Sequence, residues 1–295
     1  MMHVVEVSQT KAAIRITNGC LTVSTDGVMR GSVPVAEVSA LLLSSPHSMC
    51  SVTAIATLAG QGTPVVFCDP SMKPAGMVLP FRGHHEIGQR ILAQARASLP
   101  LRKRLWKQLI QSKIIGQAAV LEGTIGDDAG LRVLATRVRS GDVRNVEARA
   151  ARRYWSKLLG LSFRRRRGEG LTNQLLDYGY TVLRASIARS ICIAGLHPSI
   201  GIHHHNRANA FALADDLIEP YRPAVDRKVV ECLRQFQGGD EMTPAVKKEL
   251  AASLRTTVPV DGCNRSLEDA AKRSAASLAG AFLGDQEKLS LPWIG

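Results

Sequence analysis

Apolar residues in this chain change their spacing once, near residue 80, and that change limits the fold more than any other feature. Before it they come in short runs, His3 to Val7, Ala12 to Ile16, Leu21 to Ser24 and Gly31 to Val35, separated by Gly, Asn and Asp. That is the pattern of strands joined by tight turns. Asn18-Gly19 and Asp26-Gly27 predict two-residue hairpin turns, because both dipeptides tolerate the positive φ such turns need. Leu41 to Leu43 predicts a buried strand, Cys50 to Ala59 a helix stopped at Gly60, and Pro64 to Cys68 another strand. From about His84 the period is helical, over Ile87 to Ala97, Leu101 to Leu121, Val143 to Leu159 and Asn173 to Ala194. A last helix, Leu267 to Leu283, is opened by Ser266 and closed by Gly284. Pro74, Pro80 and Gly83 punctuate the switch. The expectation is an α+β protein with a small N-terminal β-rich domain over 1–80 and a larger all-α C-terminal domain over 86–295. A length of 295 residues suits two such units.

Charge narrows the function. Lys and Arg number 38 against 25 Asp and Glu, a net +13 that fits a polyanion binder. The excess is concentrated: between Arg132 and Arg167 only Asp142 and Glu147 oppose a dense basic series that ends in Arg164 to Arg167. With aromatics at 4%, stacking on single-stranded bases is disfavoured and contact with a duplex backbone fits better. The six cysteines contain no C-x-x-C pair, which argues against a zinc ribbon or a disulfide framework and points to a reducing cytoplasm. No run of about 18 apolar residues occurs, so no membrane contact is expected. Gly60-Gln61-Gly62 and Gly168-Glu169-Gly170 are turns without the Lys and Ser or Thr of a phosphate-cradling loop.

Two segments carry candidate chemistry. Glu147 lies on the helix Val143 to Leu159, at the edge of an apolar face made by Val146, Ala150, Tyr154 and Leu158, among Arg149, Arg152 and Arg153. The segment Gly195 to Pro223 places His203, His204 and His205 in a loop, followed by a helix with Asp215, Asp216 and Glu219. Asp216 with Glu219, or Asp215 with Glu219, falls on one helical face and could converge on one cation. Imidazole and carboxylates without thiolate suit Mg2+ or Mn2+. The remaining histidines, His3, His47, His84 and His85, are assigned to structure. Two carboxylates and an imidazole from distant segments would make a phosphodiester-transfer site, with the basic series holding the strand. Two other readings remain open: a ββα-metal nuclease of the HNH kind, with His203 to Asn206 between β-strands, and a non-catalytic basic scaffold of a nucleoprotein.

The motifs Leu41-Leu-Leu-Ser-Ser-Pro-His47, Gly62-Thr-Pro-Val-Val-Phe-Cys-Asp69, Glu147-Ala-Arg-Ala-Ala-Arg-Arg-Tyr-Trp155, the Gly195 to Pro223 segment and Leu291-Pro292 together resemble the CRISPR-associated integrase and endonuclease of the spacer-acquisition module. The wording of Gly201 to His204 and Asp215 to Pro223 is most similar to the type II branch. The resemblance implies an N-terminal β-sandwich-like domain that forms dimer and partner contacts, a helical catalytic domain, and a homodimer. It also implies a small dimeric CRISPR-associated adaptation subunit bridging two dimers, with type II accessory proteins as further partners. The implied substrate is double-stranded DNA, a foreign fragment joined into a repeat array. The metal ligands it implies are Glu147, His204 and Glu219, with Asp216 as supporting acid. It carries Arg149, Arg153, Arg164, Arg165, Arg166 and Arg167 over as phosphate contacts.

Overall fold

The computed structural model of the protein describes residues 3–8, 11–69, 74–79, 84–236 and 241–293. Its first part contains β1 (His3–Val7), β2 (Ala12–Thr17), β3 (Cys20–Thr25), β4 (Val28–Pro34), β5 (Val38–Leu43), β6 (Met49–Cys50), α1 (Val52–Gly60), β7 (Val65–Cys68) and β8 (Pro74–Val78). Both hairpin dipeptides behave as their residue types require. Asn18 and Gly19 take φ of 50° and 73°, and Asp26 and Gly27 take 52° and 77°. These turns pair Thr17 with Cys20 and Thr25 with Val28. One sheet runs β4-β3-β2-β6 and a second runs β1-β5-β7-β8. The start of α1 shifts from the expected Cys50 to Val52, because Ser51 caps it by accepting the Ala54 amide and Met49–Cys50 pair with β2.

Strand β5 shows how the two parts of the chain join. All six of its residues are buried, as expected of a strand flanked in parallel by β1 and β7 and covered on both faces. Leu41 and Leu43 point into the small core with Ile14, Leu21 and Leu58, whereas Ala40 and Leu42 belong to the large core of the helical region. Glu6 on β1 adds a polar tie, accepting from Ser44 Oγ at 3.1 Å, Tyr178 Oη at 2.9 Å and Lys247 Nζ at 2.7 Å.

The second part is mainly helical: α2 (Ile87–Arg96), α3 (Leu99–Ile125), α4 (Leu131–Thr136), α5 (Val146–Leu159), α6 (Gly170–Ile193), α7 (Ala212–Leu217), α8 (Arg222–Gln235), α9 (Pro244–Ala251) and α10 (Leu267–Leu283). It also holds a hairpin absent from the all-α expectation, β9 (Thr257–Val260) and β10 (Cys263–Ser266), turned at Asp261-Gly262 with φ of 50° and 75°. Four-residue strands leave too short an alternation to stand out. Helix α3 is the central rod. Ser98 caps it, Pro100 sits in its first turn and Gly126 closes it in the left-handed region. Leu105, Leu109, Ile110, Ile114, Ala118 and Leu121 bury its length, and α4, α5 and α8 pack around it. Helix α8 crosses α6 so closely that a Cβ on Gly179 would lie 2.5 Å from Val225 Cγ1.

Candidate active site

Spacing predicts that Asp216 with Glu219, or Asp215 with Glu219, shares one helical face; the structure sends the three acids to three different partners. Helix α7 ends at Leu217, and Pro220 tightens the next residues, Glu219–Tyr221, into a 3-10 turn before α8. Asp215 pairs with Arg184, Nε to Oδ1 at 2.7 Å, and accepts from Asn209 Nδ2 at 2.7 Å. Asp216, fully buried, turns the other way. It accepts the backbone N–H groups of Ile202, His203 and His204 at 2.5, 3.0 and 3.2 Å and bonds His204 Nδ1 at 2.6 Å. Glu219 faces α3. Neither Asp215 nor Asp216 shares a cation with Glu219.

Among the three histidines, His204 is the one held by a carboxylate. Its Nδ1–H given to Asp216 leaves Nε2 as the lone-pair nitrogen, the arrangement that carboxylate–histidine–metal triads use. The bond to Asp216 raises its pKa above the usual imidazole value, against the opposing effect of burial. His203 stacks flat on Trp106, centroids 4.1 Å apart, and His204 meets the same indole edge-on at 6.1 Å. His205 is exposed. Gly201 permits the loop's tight return, since a Cβ there would lie 2.5 Å from the His204 carbonyl oxygen and 2.9 Å from Asp216 Oδ2.

Glu147 lies in the first turn of α5, which begins three residues later than expected because Asp142 ends the preceding segment. The Asp142 carboxylate accepts the Val146 and Glu147 amides, both at 2.9 Å, and Asn145 turns the chain with φ 51°. An anion there is favoured by the helix dipole. Glu147 Oε1 and Glu219 Oε2 each lie 2.6 Å from one ammonium, Lys113 Nζ on α3. The two carboxylate oxygens are therefore no farther apart than twice that distance. Arg222 adds a second cation, with Nε 2.8 Å from Glu219 Oε1. Burial alone would raise the Glu219 pKa; Arg222 and Lys113 overcome it and hold the carboxyl down to about 2. Burial likewise pulls the Lys113 pKa down, and the two carboxylates more than reverse it. Behind this group Arg222 lies over the Tyr180 ring at 4.5 Å, and Tyr154 and Tyr180 both donate to buried Asp226.

The structure thus brings Glu147 and Glu219 to a common cation position and places His204 on Asp216. The two groups meet along α3, where Trp106 contacts the histidines and Lys113 the acids, two helical turns or roughly 10 Å of rise apart. Their fit to a divalent ion rests on the donors themselves. Glu219 Oε2 is buried with the Lys113 ammonium as its cation contact, so one of the oxygen's two lone pairs remains for another cation. Two carboxylates and an imidazole are the hard, mixed O/N set that Mg2+ or Mn2+ takes. Ligand atoms of Glu147, His204 and Glu219 do not form a tight trio. Among the described residues the trio within 4.8 Å is His84, His85 and Glu86, next to α2, where His84 Nδ1 accepts the Glu86 amide and Glu86 pairs with Arg90.

The basic residues divide. Arg149 is exposed on α5, and exposed Arg153 bonds the Ala129 carbonyl. In the Arg164 to Arg167 run, Arg164 bonds the Leu161 and Phe163 carbonyls, Arg165 is held by Asp177 at 2.5 Å and Asn173 at 3.0 Å, and Arg166 pairs with Glu169. Arg167 is exposed. Sequence reasoning missed Lys113, Asp142, Arg222 and Asp226. A signal existed for Lys113: a lone cation on the stripe Leu109, Ile110, Ile114, Gln117 is out of place unless something acidic meets it. Strands expected beside the histidines for a ββα-metal nuclease do not occur; α6 precedes that loop and α7 follows it. No helix of the described residues is long and apolar enough to cross a membrane.

Comparison with known proteins agrees with the motifs. A family model described as CRISPR associated protein Cas1 matches residues 5–245. The CRISPR-associated endonuclease Cas1 of Neisseria meningitidis is 34% identical over 266 residues, covering 89% of this chain and 87% of that one. Among solved structures, a casposase bound to its integration product superposes with a TM-score of 0.81 at 20% identity, over 98% of this chain and 93% of the other. A Cas6-RT-Cas1–Cas2 complex superposes with a TM-score of 0.75 at 19% identity, over 99% of this chain and 36% of the longer one. On the family match and the close relative together, this chain belongs to the Cas1 family of CRISPR-associated proteins.

Proposed function

We propose that this protein is a metal-dependent DNA integrase and endonuclease that joins short foreign DNA into a CRISPR repeat array. The observation that carries the reading is the convergence of Glu147 and Glu219, from two separate segments, on one cation position beside an Asp216-oriented His204. In the reaction the 3′-hydroxyl of the incoming fragment attacks a target phosphodiester. One O–P bond forms, the P–O bond to the target 3′-oxygen breaks, the attacking hydroxyl gives its proton to solvent, and the released 3′-oxygen takes one up as a new hydroxyl. Nicking is the same displacement with water as the nucleophile. Mg2+ or Mn2+ held by Glu147, His204 and Glu219 would lower the pKa of the attacking hydroxyl and take up charge on the phosphoryl oxygens.

The chain's own residues do the positioning. Asp216 fixes the tautomer and direction of His204, and Asp142 fixes the first turn of α5 that carries Glu147. Arg149, Arg153, Arg164, Arg166 and Arg167 hold phosphates of double-stranded DNA in line; Arg165 acts through Asp177 by keeping that run in place. The partners in this reading are a second copy of the chain and a small dimeric adaptation subunit bridging two such dimers. The N-terminal domain, 1–80, makes those contacts and the 86–295 domain holds the chemistry. Apolar side chains exposed on and beside the edge strands of its first sheet, Val28, Met29, Met49 and Val52, are the kind of surface a dimer covers. The type II-like wording and a cytoplasmic setting belong to the same reading, and the Cas2 of the related complex supports the bridging subunit.

Replacing Glu147, His204 or Glu219 by Ala tests it. Strand joining in Mg2+ or Mn2+ should fall by at least a hundredfold, while duplex binding in a gel-shift assay is retained. Unchanged joining by all three variants would falsify the assignment.

A further inference from the structure

Lys113 is an anomalous charge among the described residues. It is 8% exposed, lies on the apolar stripe of the central helix, and its ammonium sits 2.6 Å from each of the two acids assigned above to a divalent ion. With Arg222 beside Glu219, two cations face these two carboxylates, and buried Asp226, which interacts with both cations, lies behind them. A buried group of that kind is stable only while opposite charges stay matched, because an unmatched charge out of water costs far more than a matched pair. A divalent ion added to it with nothing leaving would set four positive charges against Glu147, Glu219 and Asp226. Of the two resident cations, Arg222 is the less free to go: its guanidinium is also stacked over Tyr180. Lys113 has a flexible four-carbon stem and a point charge with no second aromatic or bidentate hold. The Glu219 oxygen nearest it lies 2.6 Å from the ammonium, an ion contact that a stronger cation can replace.

We propose that Lys113 is the resident counter-ion of the Glu147–Glu219 pair: its ammonium keeps the two acids assembled without metal and vacates that place when a divalent cation binds. The proposal rests on the metal-dependent reading above and adds a competition to it. Metal affinity is set partly by what must be displaced, and each of these acids lies 2.6 Å from the Lys113 ammonium.

Calorimetric titration with MnCl2 of the wild type, Lys113→Met and Lys113→Arg tests it. Lys113→Met, of similar length and uncharged, should bind Mn2+ at least tenfold more tightly than the wild type while melting at a lower temperature without metal. Lys113→Arg, which keeps the charge, should bind like the wild type. A purely structural lysine predicts the reverse, since loosening the site weakens Mn2+ binding. Equal or weaker binding by Lys113→Met overturns the competition alone, provided the wild type still binds Mn2+ and joins DNA. No Mn2+ binding by either protein overturns both the competition and the metal reading. Should Lys113→Met not fold, the wild type suffices: amine acetylation read by peptide mass spectrometry should label Lys113 several-fold faster in saturating Mg2+ than without it. Unchanged protection of Lys113 in metal-saturated protein overturns the proposal.

Discussion

The two halves of the candidate site are each held by one buried charge, of opposite sign and different permanence. Asp216 is enclosed by a single loop; its four bonds all go to residues within 14 positions, three of them backbone amides that cannot move without the loop moving. Lys113 reaches two acids on separate segments and touches only side-chain oxygens. An acceptor satisfied by backbone is part of the architecture, whereas a cation between carboxylates is a partner that another cation can match. The imidazole end is therefore built before any ligand arrives, and the acidic end is assembled around a replaceable charge.

The comparison breaks most visibly at Asp216. Asp216→Ala leaves one buried and two part-buried amides without their acceptor and should cost about 3 kcal/mol in urea unfolding, with joining lost as well. A cost below that of Lys113→Met would invert the ranking of the two halves. Next is Gly201→Ala, whose methyl collides with the His204 carbonyl. Displacing the loop should lower joining on the order of 10- to 100-fold, with DNA binding kept. Unaltered joining would mean the loop is softer than its bonds imply.

Asp226 sharpens the contrast between buried acids. Burial lifts its pKa to about 6, only partly offset by the tyrosine hydroxyls and Arg222, whereas Glu219 is held near 2. A carboxyl raised in the folded state contributes stability that is complete below its unfolded value near 3.8 and is lost as pH rises through 6. Glu219 contributes the opposite way: its share is present above 4.5 and fades as pH falls towards 2. The melting temperature of Asp226→Asn relative to the wild type should thus rise between pH 4 and pH 7. A constant difference across that range would remove the assignment of the shift to Asp226. The smallest effect is expected on the surface: Arg167→Ala should reduce the salt slope of duplex binding by about one. Arg165→Ala, whose guanidinium is engaged by Asp177, should instead lower the melting temperature. Identical behaviour of the two variants would erase the division of the arginine run.

Much of the architecture was readable because its signals are local. Asn18-Gly19 and Asp26-Gly27 specify their turns within two residues, and the Ser266 and Gly284 caps bound α10 as expected. The acids were readable as a group, but their directions were not. Asp215 and Asp216 differ by one position, and one position on a helix is a rotation of about 100°, enough to send one to Arg184 and the other to the histidine loop. Lys113 stood out only as a lone cation on an apolar stripe, and its role was hidden for another reason. Its partners lie on two later segments, and only the packing of α5 and the Glu219 turn against α3 makes a buried lysine sensible.

That packing has a consequence for how such a protein can vary. Trp106 and Lys113 ride on the same uninterrupted rod, and an α-helix does not stretch by degrees. The span between the imidazole end and the carboxylate end is consequently a ruler with fixed graduations. Single substitutions can retune the grip at either end, but altering the gap itself takes a deletion or insertion in α3, and each such step swings one end around the axis and out of register with the other.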